Sequence, residues 1–394
     1  MGLARPLASA GKTFPTVPAA ISGRGMLVGS MLPAAGSFAR ADLWPEEPAS
    51  EAGPRFVPVG AERGAAGDGQ GPPIVYTRSE TGRRGSYLRV LERLFGARRA
   101  GRRRDLLFSR APVLFLMVEE AFLLYVIVGL LRAMTGRRTV GLLARPRPLA
   151  VSPRWRHAFR RAVLRRLKRW RSIRTLTLLP FSVFPAFASI ADGWIYDCQL
   201  WDMTEEERRA IEVLREERRT GARPVVAAIG TQSLEKGIGL FADVYARSAA
   251  LRSRCQFIAC GRVAPAAGEH AAVLVEAGGV LVGRMLSDAE LLGTYAASDA
   301  VWCLYPPVGD HASGILGRAA QLGIPVVVRQ GSLAHRLCVT ECLPHIAASP
   351  ETVAARLAGP LPPRDAERGH LAALRFAEES EAALRAALGL APVD

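Results

Sequence analysis

Tyr305-Pro306-Pro307-Val308-Gly309-Asp310-His311-Ala312-Ser313-Gly314 leaves an apolar run, Ala300 to Leu304, and enters a helix from Gly314 to Leu322; Gly323-Ile324-Pro325-Val326-Val327 then opens the next apolar run, Pro325 to Val328. A strand, a loop of turn residues, a helix and a second strand, with no polar alternation in either strand, spell a βαβ unit in a parallel sheet covered on both faces. The loop lies past the carboxyl end of a strand, where ligands of such sheets bind. Ser313, Gly314 and Ile315 open the helix, so free backbone N–H groups and the helix dipole together form an anion site. Asp310 and His311 stand at its mouth as polar candidates.

The same grammar extends in both directions. Upstream come strand Val225 to Ile229, helix Gly239 to Ala249, strand Gln256 to Cys260, helix Pro265 to Glu276, strand Val280 to Val282 and helix Asp288 to Ala296. Before them, Thr204 with Glu207 three residues on makes a capping box that opens a charged helix to about Arg219, ending before Gly221. Downstream, Asp365 to Leu388 reads as a helix with Leu371, Leu374, Leu384 and Leu388 available for docking. The first half reads as strand Ile74 to Tyr76, helix Ser86 to Phe95, a basic turn Arg98 to Arg104, and strand Val113 to Met117. Helix Ala121 to Met134, strand Thr139 to Leu143, helix Trp155 to Trp170 and strand Thr175 to Leu179 follow. The spacing predicts an α/β chain of two doubly wound, Rossmann-like domains, 72–203 and 204–363, with a C-terminal helix and tail, 364–394. Residues 1–71, rich in Gly, Ala and Pro and without a sustained period, are predicted to be a disordered extension or a stretch upstream of the true start.

A hydrophobic fraction of 49% over 394 residues supplies core for two such domains. The formal net charge of +16 is concentrated: no acidic residue separates Glu120 from Asp192, while arginines run from Arg132 to Arg174. A field of that sign attracts phosphate groups or an anionic membrane surface, and a solvated basic face is the plainer alternative. The helix from Trp155, with Phe159, Val163, Leu164, Leu167 and Trp170 among its arginines, has an amphipathic pattern suited to docking on such a surface. Nucleic acid is not expected as a partner, because no recognised motif or aromatic platform accompanies the charge. Val113 to Leu131 is apolar enough to weigh as a membrane span, but Glu119 and Glu120 near its middle would each cost about 2.5 to 3.5 kcal/mol there. A strand leading into an apolar core helix is the reading. The first apolar residues are broken by Pro, Gly and Lys before a signal peptide forms, so a cytoplasmic location is expected. Cys198, Cys255, Cys260, Cys303, Cys338 and Cys342 lack CxxC or His spacing, and no metal is expected.

A second loop belongs with the first. Gly230-Thr231-Gln232-Ser233-Leu234-Glu235-Lys236-Gly237 follows strand Val225 to Ile229; Gly230 permits close backbone approach, and Lys236 can place an ammonium on a phosphate. Its spacing is not that of a Walker A loop.

These blocks, with Gly283-Arg284, Ser287 to Leu291, Tyr295 to Ala300 and the Gly323 to Val327 turn, resemble the carboxyl-terminal domain of GT-B glycosyltransferases, especially the retaining family 4 type. The resemblance runs from about Pro224 to Leu333. It implies two Rossmann-like domains with a cleft between them and a nucleoside-diphosphate sugar donor, without a separate cofactor. It implies that Lys236 holds the donor diphosphate, with Thr231 where the family has an arginine. Of the family's two glutamates, seven residues apart, the first falls on Asp310, which keeps a carboxylate at the donor sugar, and the second on Arg318, which offers only donors to the ribose. Ile74 to Thr77 with Thr81, Gly82 and Arg83 is similar to the first strand and loop where the acceptor enters. His157, the only histidine of the first domain, lies in the basic helix and receives no role. The aromatic cluster Trp194 to Trp201 packs at the domain junction or floors an acceptor groove.

The expectation is a metal-independent glycosyltransferase, peripheral to the inner membrane face through residues 132–174, that passes a sugar to a lipid-linked or polysaccharide acceptor. The alternative is a non-catalytic GT-B-like partner of a polysaccharide assembly system, motivated by Thr231 and Arg318.

Overall fold

The computed structural model describes residues 71–80, 82–216 and 223–391. The predicted N-terminal extension, apart from Gly71, lies outside the described residues, as do Thr81, Arg219 and Gly221. The first sheet is built from β1 (Ile74–Tyr76), α1 (Arg83–Phe95), β2 (Arg98–Arg99), α2 (Arg103–Phe108), β3 (Val113–Phe115), α3 (Phe122–Ala133), β4 (Thr139–Leu143), α4 (Pro146–Val151), α5 (Trp155–Leu167), β5 (Ile173–Thr177) and β6 (Gly193–Trp194). All strands are parallel, in the order β2-β1-β3-β4-β5-β6. The chain runs from β1 outward to β2 and then crosses back to β3, so the switch point lies between β1 and β3. Right-handed crossovers put α2, α3 and α5 on one face and α1 on the other.

After α6 (Glu205–Glu216) the second sheet follows: β7 (Val225–Ile229), α7 (Ile238–Arg247), α8 (Ala249–Arg254), β8 (Gln256–Cys260), α9 (Gly268–Glu276), β9 (Val280–Val282), α10 (Asp288–Ala297), β10 (Ala300–Cys303), α11 (Gly314–Gln321), β11 (Val326–Arg329), α12 (Leu333–Thr340), β12 (His345–Ala348) and α13 (Val353–Ala358). Its order is β12-β11-β10-β7-β8-β9, again parallel, with the switch point between β7 and β10. The residues of β7 and β10 are buried throughout, which is why those runs carry no polar alternation. α14 (Ala366–Leu388) packs on α11 and reaches back to β4 and β6, strapping the two sheets together. Two doubly wound α/β domains with a C-terminal helix, as expected, are what the chain forms.

Three local expectations need correction. The basic turn at Arg98 to Arg104 contains β2 and the start of α2; a two-residue edge strand of exposed arginines gives no apolar signal and suits an edge that must not pair further. β5 begins at Ile173 and ends at Thr177, because buried Thr175 and Thr177 hold the ladder while Leu178 and Leu179 fill the core beyond it. The helix read as core, here α3, buries only one side: Leu123, Ile127, Leu131 and Met134 are exposed.

Candidate functional site

Both switch points open toward the same cleft. On the second domain its wall is made by two tight turns, Leu234–Lys236 after β7 and Pro307–Gly309 after β10, pressed together where glycine is required: a Cβ on Gly309 would lie 2.3 Å from the Glu235 carbonyl oxygen, and one on Gly237 2.7 Å from that of Leu304. Gly230, at φ 89°, likewise takes a conformation that side chains disfavour and lies against Ile315. Gln232 pins this wall from beneath, donating to the carbonyl oxygens of Ala228, Gly230 and Cys260 at 3.0, 2.8 and 3.2 Å. Thr231 is exposed at the turn.

The Lys236 ammonium lies over the Tyr305 ring, 4.6 Å from its centroid. Among the described residues no carboxylate stands within ion-pair distance of it. Burial lowers its pKa, and the positive charges of Arg83 and Arg145 lower it further against the opposing Cys303 and Glu235. His311 is pushed down to about 4, first by burial and then by Arg145, Lys236 and Arg83. Lys236 and His311 of one domain both feel the charge of Arg83 and Arg145 of the other, which makes the space between them rich in cations.

The opposite wall is less simple. Arg83, the first residue of α1 after Gly82 at φ 59°, forms an ion pair with buried Asp197 and donates to the Ala312 carbonyl oxygen at 2.9 Å, tying the walls together. Tyr87 donates to the other Asp197 oxygen at 3.1 Å. Beyond β3 the backbone turns through Met117, which adopts φ 55° and ψ 63° without being glycine, a left-handed conformation that costs about 1 to 3 kcal/mol. The turn it starts carries Glu119, whose Oε1 accepts the Arg145 N–H at 2.5 Å while Oε2 is buried without a partner. Burial raises this carboxyl's pKa. Glu119 thus fixes the backbone at Arg145, whose charge reaches Lys236 and His311.

The expected acid and ribose contacts are differently engaged. Asp310 is buried and surrounded by donors: Arg147 from the first domain, Arg329 at 3.1 Å and the N–H of Leu333 at 2.8 Å. With those partners it is a clamp between domains, not an open carboxylate. Arg318 points to the interdomain segment, 3.2 Å from Asp202 and 3.7 Å from Glu207. Ser313 precedes α11 with its hydroxyl 3.3 Å from that of Tyr305. Gly314 lies so close to the Gln199 side chain that a Cβ there would sit 1.2 Å from Oε1. Gly230, Thr231, Lys236, Ser313, Gly314 and Ile315 are therefore gathered in one place, with Arg83 facing them, while Arg318 is turned toward the linker. Sequence reasoning missed Arg145 and Glu119; their position after β4 and β3, the neighbours of the switch point, was the available signal.

No family model matches the chain, and no curated protein matches it. Among solved structures it is similar to HepE of Anabaena, solved with UDP, at 13% identity over 81% of this chain and 93% of that one, with a TM-score of 0.47. It is also similar to an α,α-trehalose-phosphate synthase (UDP-forming) from Burkholderia vietnamiensis, at 10% identity over 70% of each chain and a TM-score of 0.45. The C-terminal domain of a glycosyl transferase group 1 family protein, LpcC from Francisella tularensis, matches 44% of this chain and 93% of its own at 14% identity, with a TM-score of 0.31.

Proposed function

We propose that the protein is a glycosyltransferase that uses a nucleoside-diphosphate sugar. The observation that carries this reading is Lys236: a desolvated ammonium without a carboxylate partner, at the switch point of one doubly wound domain and facing Arg145 and Arg83 of the other. Such a group awaits an anion. In the transfer, the bond from the anomeric carbon to the diphosphate oxygen breaks and its electron pair stays on the diphosphate. The acceptor oxygen bonds to that carbon and its proton passes to the departing diphosphate oxygen. Negative charge therefore grows on the leaving group, where Lys236, Arg145 and the first N–H groups of α11 stabilise it without reorganising. His311, uncharged at neutral pH, offers a hydrogen bond instead of a further charge.

Finer features rest on the sequence resemblance. They are the family 4 type, retention at the anomeric carbon, metal independence, and a polysaccharide or lipid-linked acceptor entering beside Gly82 and Arg83. Peripheral attachment to the inner membrane face is supported by the arginines of residues 132–174. No described helix is long and apolar enough to cross a membrane.

The test is donor binding and turnover across UDP-, GDP- and ADP-sugars, with Lys236→Ala as control. Saturable binding weakened at least tenfold in the variant, with transfer or slow hydrolysis, is expected. Binding without turnover favours the second reading, a non-catalytic partner, for which the fully engaged Asp310 is the specific observation. Binding to none of the donors removes the enzyme reading.

A further inference from the structure

The outer layer of the first sheet carries an apolar surface that the cleft does not use. From Phe122 to Leu131, α3 has no charged side chain; its Tyr125 hydroxyl is buried against Arg174 and Thr175, and Arg132 turns inward to the carbonyl oxygens of Leu106, Ser109, Ala111 and Arg138. What α3 shows to solvent is a stripe of Leu123, Ile127, Leu131 and Met134, at successive turns of the helix and 68, 54, 44 and 70% exposed. Beside it α5 exposes Trp155 and Phe159, and α2 exposes Phe108. The helices are neighbours: Arg160 of α5 lies over the Phe122 ring of α3, 5.1 Å from its centroid, and α2 packs on α3. Arg102, Arg103 and Arg104 at the start of α2, and Arg154, Arg156, Arg165 and Arg166 along α5, are exposed on the same layer. Apolar surface of this extent on one layer marks an interaction site.

We propose that the α2–α3–α5 layer docks on an anionic lipid bilayer, with the α3 stripe entering the acyl boundary and the arginines of α2 and α5 lying on the headgroup phosphates. Apolar residues accompanied by cations match that interface. A second copy of the chain would bring arginines against arginines, so self-association through this face is opposed by charge. The proposal rests on the peripheral attachment proposed above and changes the residues that make it, because α3 lies largely outside residues 132–174. It also orients the molecule. α3 begins just past Glu119 and α5 follows α4 from Arg145 and Arg147, so the bilayer would border the rim of the cleft.

The experiment is sedimentation of the full chain with phosphatidylcholine vesicles and with phosphatidylcholine–phosphatidylglycerol vesicles at low salt. It is repeated for Ile127→Asp/Leu131→Asp and for Arg165→Glu/Arg166→Glu, with solution binding of a nucleoside diphosphate as the check on folding. Retention by the anionic vesicles alone, lowered at least tenfold by either double substitution with nucleotide binding intact, is expected. Retention sensitive to the arginine pair but not to the α3 pair overturns the inference and leaves the attachment through residues 132–174 standing. Retention by neither vesicle, or equally by both, sinks the inference and the anionic attachment together. Failure on both vesicles with retention on immobilised polyglutamate assigns the face to an acidic polypeptide and overturns it as well.

Discussion

Lys236 and Asp310 stand on two turns that touch, yet their surroundings give them opposite roles. Lys236 has lost water without gaining a counter-ion, whereas Asp310 accepts from two arginines and a backbone N–H. His311 sits between these situations. Its pKa, pushed down to about 4, lies below the ordinary value of about 6.5. Between those values the unfolded chain binds the proton that the folded chain refuses, so this group's contribution to stability is full above about pH 6.5 and is lost as pH falls toward 4. His311→Gln should therefore flatten the loss of thermal stability between pH 6.5 and 4.5 relative to the wild type. Identical slopes would show that the histidine is not held neutral. The residues of this cleft were legible in part. Lys236, Gly230 and Ser313 were visible because strand-end loops are local. Arg145 enters through a different sheet and a backbone hydrogen bond to Glu119, neither of which leaves a local pattern.

At the scale of elements, α11 explains why its glycines recur at Gly314 and Gly317. They form a groove on one helix face into which the chain from Cys198 to Leu200 is laid: a Cβ on Gly317 would lie 2.7 Å from both the carbonyl carbon and oxygen of Gln199. Gln321, one turn on and buried, fastens the same segment by donating to the Gln199 carbonyl oxygen at 2.8 Å and accepting from the Met203 N–H at 3.2 Å. Because the colliding atoms are backbone, Gly317→Ala must push the interdomain segment away. The overpacking should cost about 1 to 3 kcal/mol, lowering the urea midpoint, while the same substitution at half-buried Gly293, where an added Cβ would meet nothing within 4 Å, should be neutral or slightly stabilising. Equal effects at the two sites would remove the groove from the account. The strands around this helix were readable because β7, β8 and β10 are apolar runs of ordinary length. β2 and β6 have two residues each, and β12 begins at a half-buried histidine, so each is defined only by the strand beside it.

For the whole molecule, the decisive fact is that the apolar core does not stop at the domain boundary. One cluster of buried side chains runs from Ile74 and Phe115 of the first sheet through Tyr196, Leu200 and Met203 to Leu316 of α11 and Val301 and Val326 of the second sheet. It continues into Phe376 and Leu384 of α14, while a separate cluster lies under α7 and α9. The strap is specific as well as apolar: the Tyr196 ring packs on that of Phe376, tilted by 30° with centroids 4.1 Å apart, its N–H donates to the Ser380 hydroxyl at 3.0 Å, and its own hydroxyl donates to Glu341 at 3.0 Å. Two domains joined only by a solvated linker would unfold independently; domains sharing a core cannot expose it on one side alone. Urea unfolding followed by helix circular dichroism and by tryptophan fluorescence should therefore give coincident transitions, although the chain is long enough for intermediates to be common. Phe376→Ala sharpens the expectation. Loss of a buried phenylalanine costs about 3 to 5 kcal/mol, and if the rest of the shared core still couples the halves, both probes should shift together to lower urea. A variant in which the two transitions separate while the wild type stays cooperative would mean that α14 is the coupling. Separate transitions already present in the wild type would refute the shared core as a single cooperative unit.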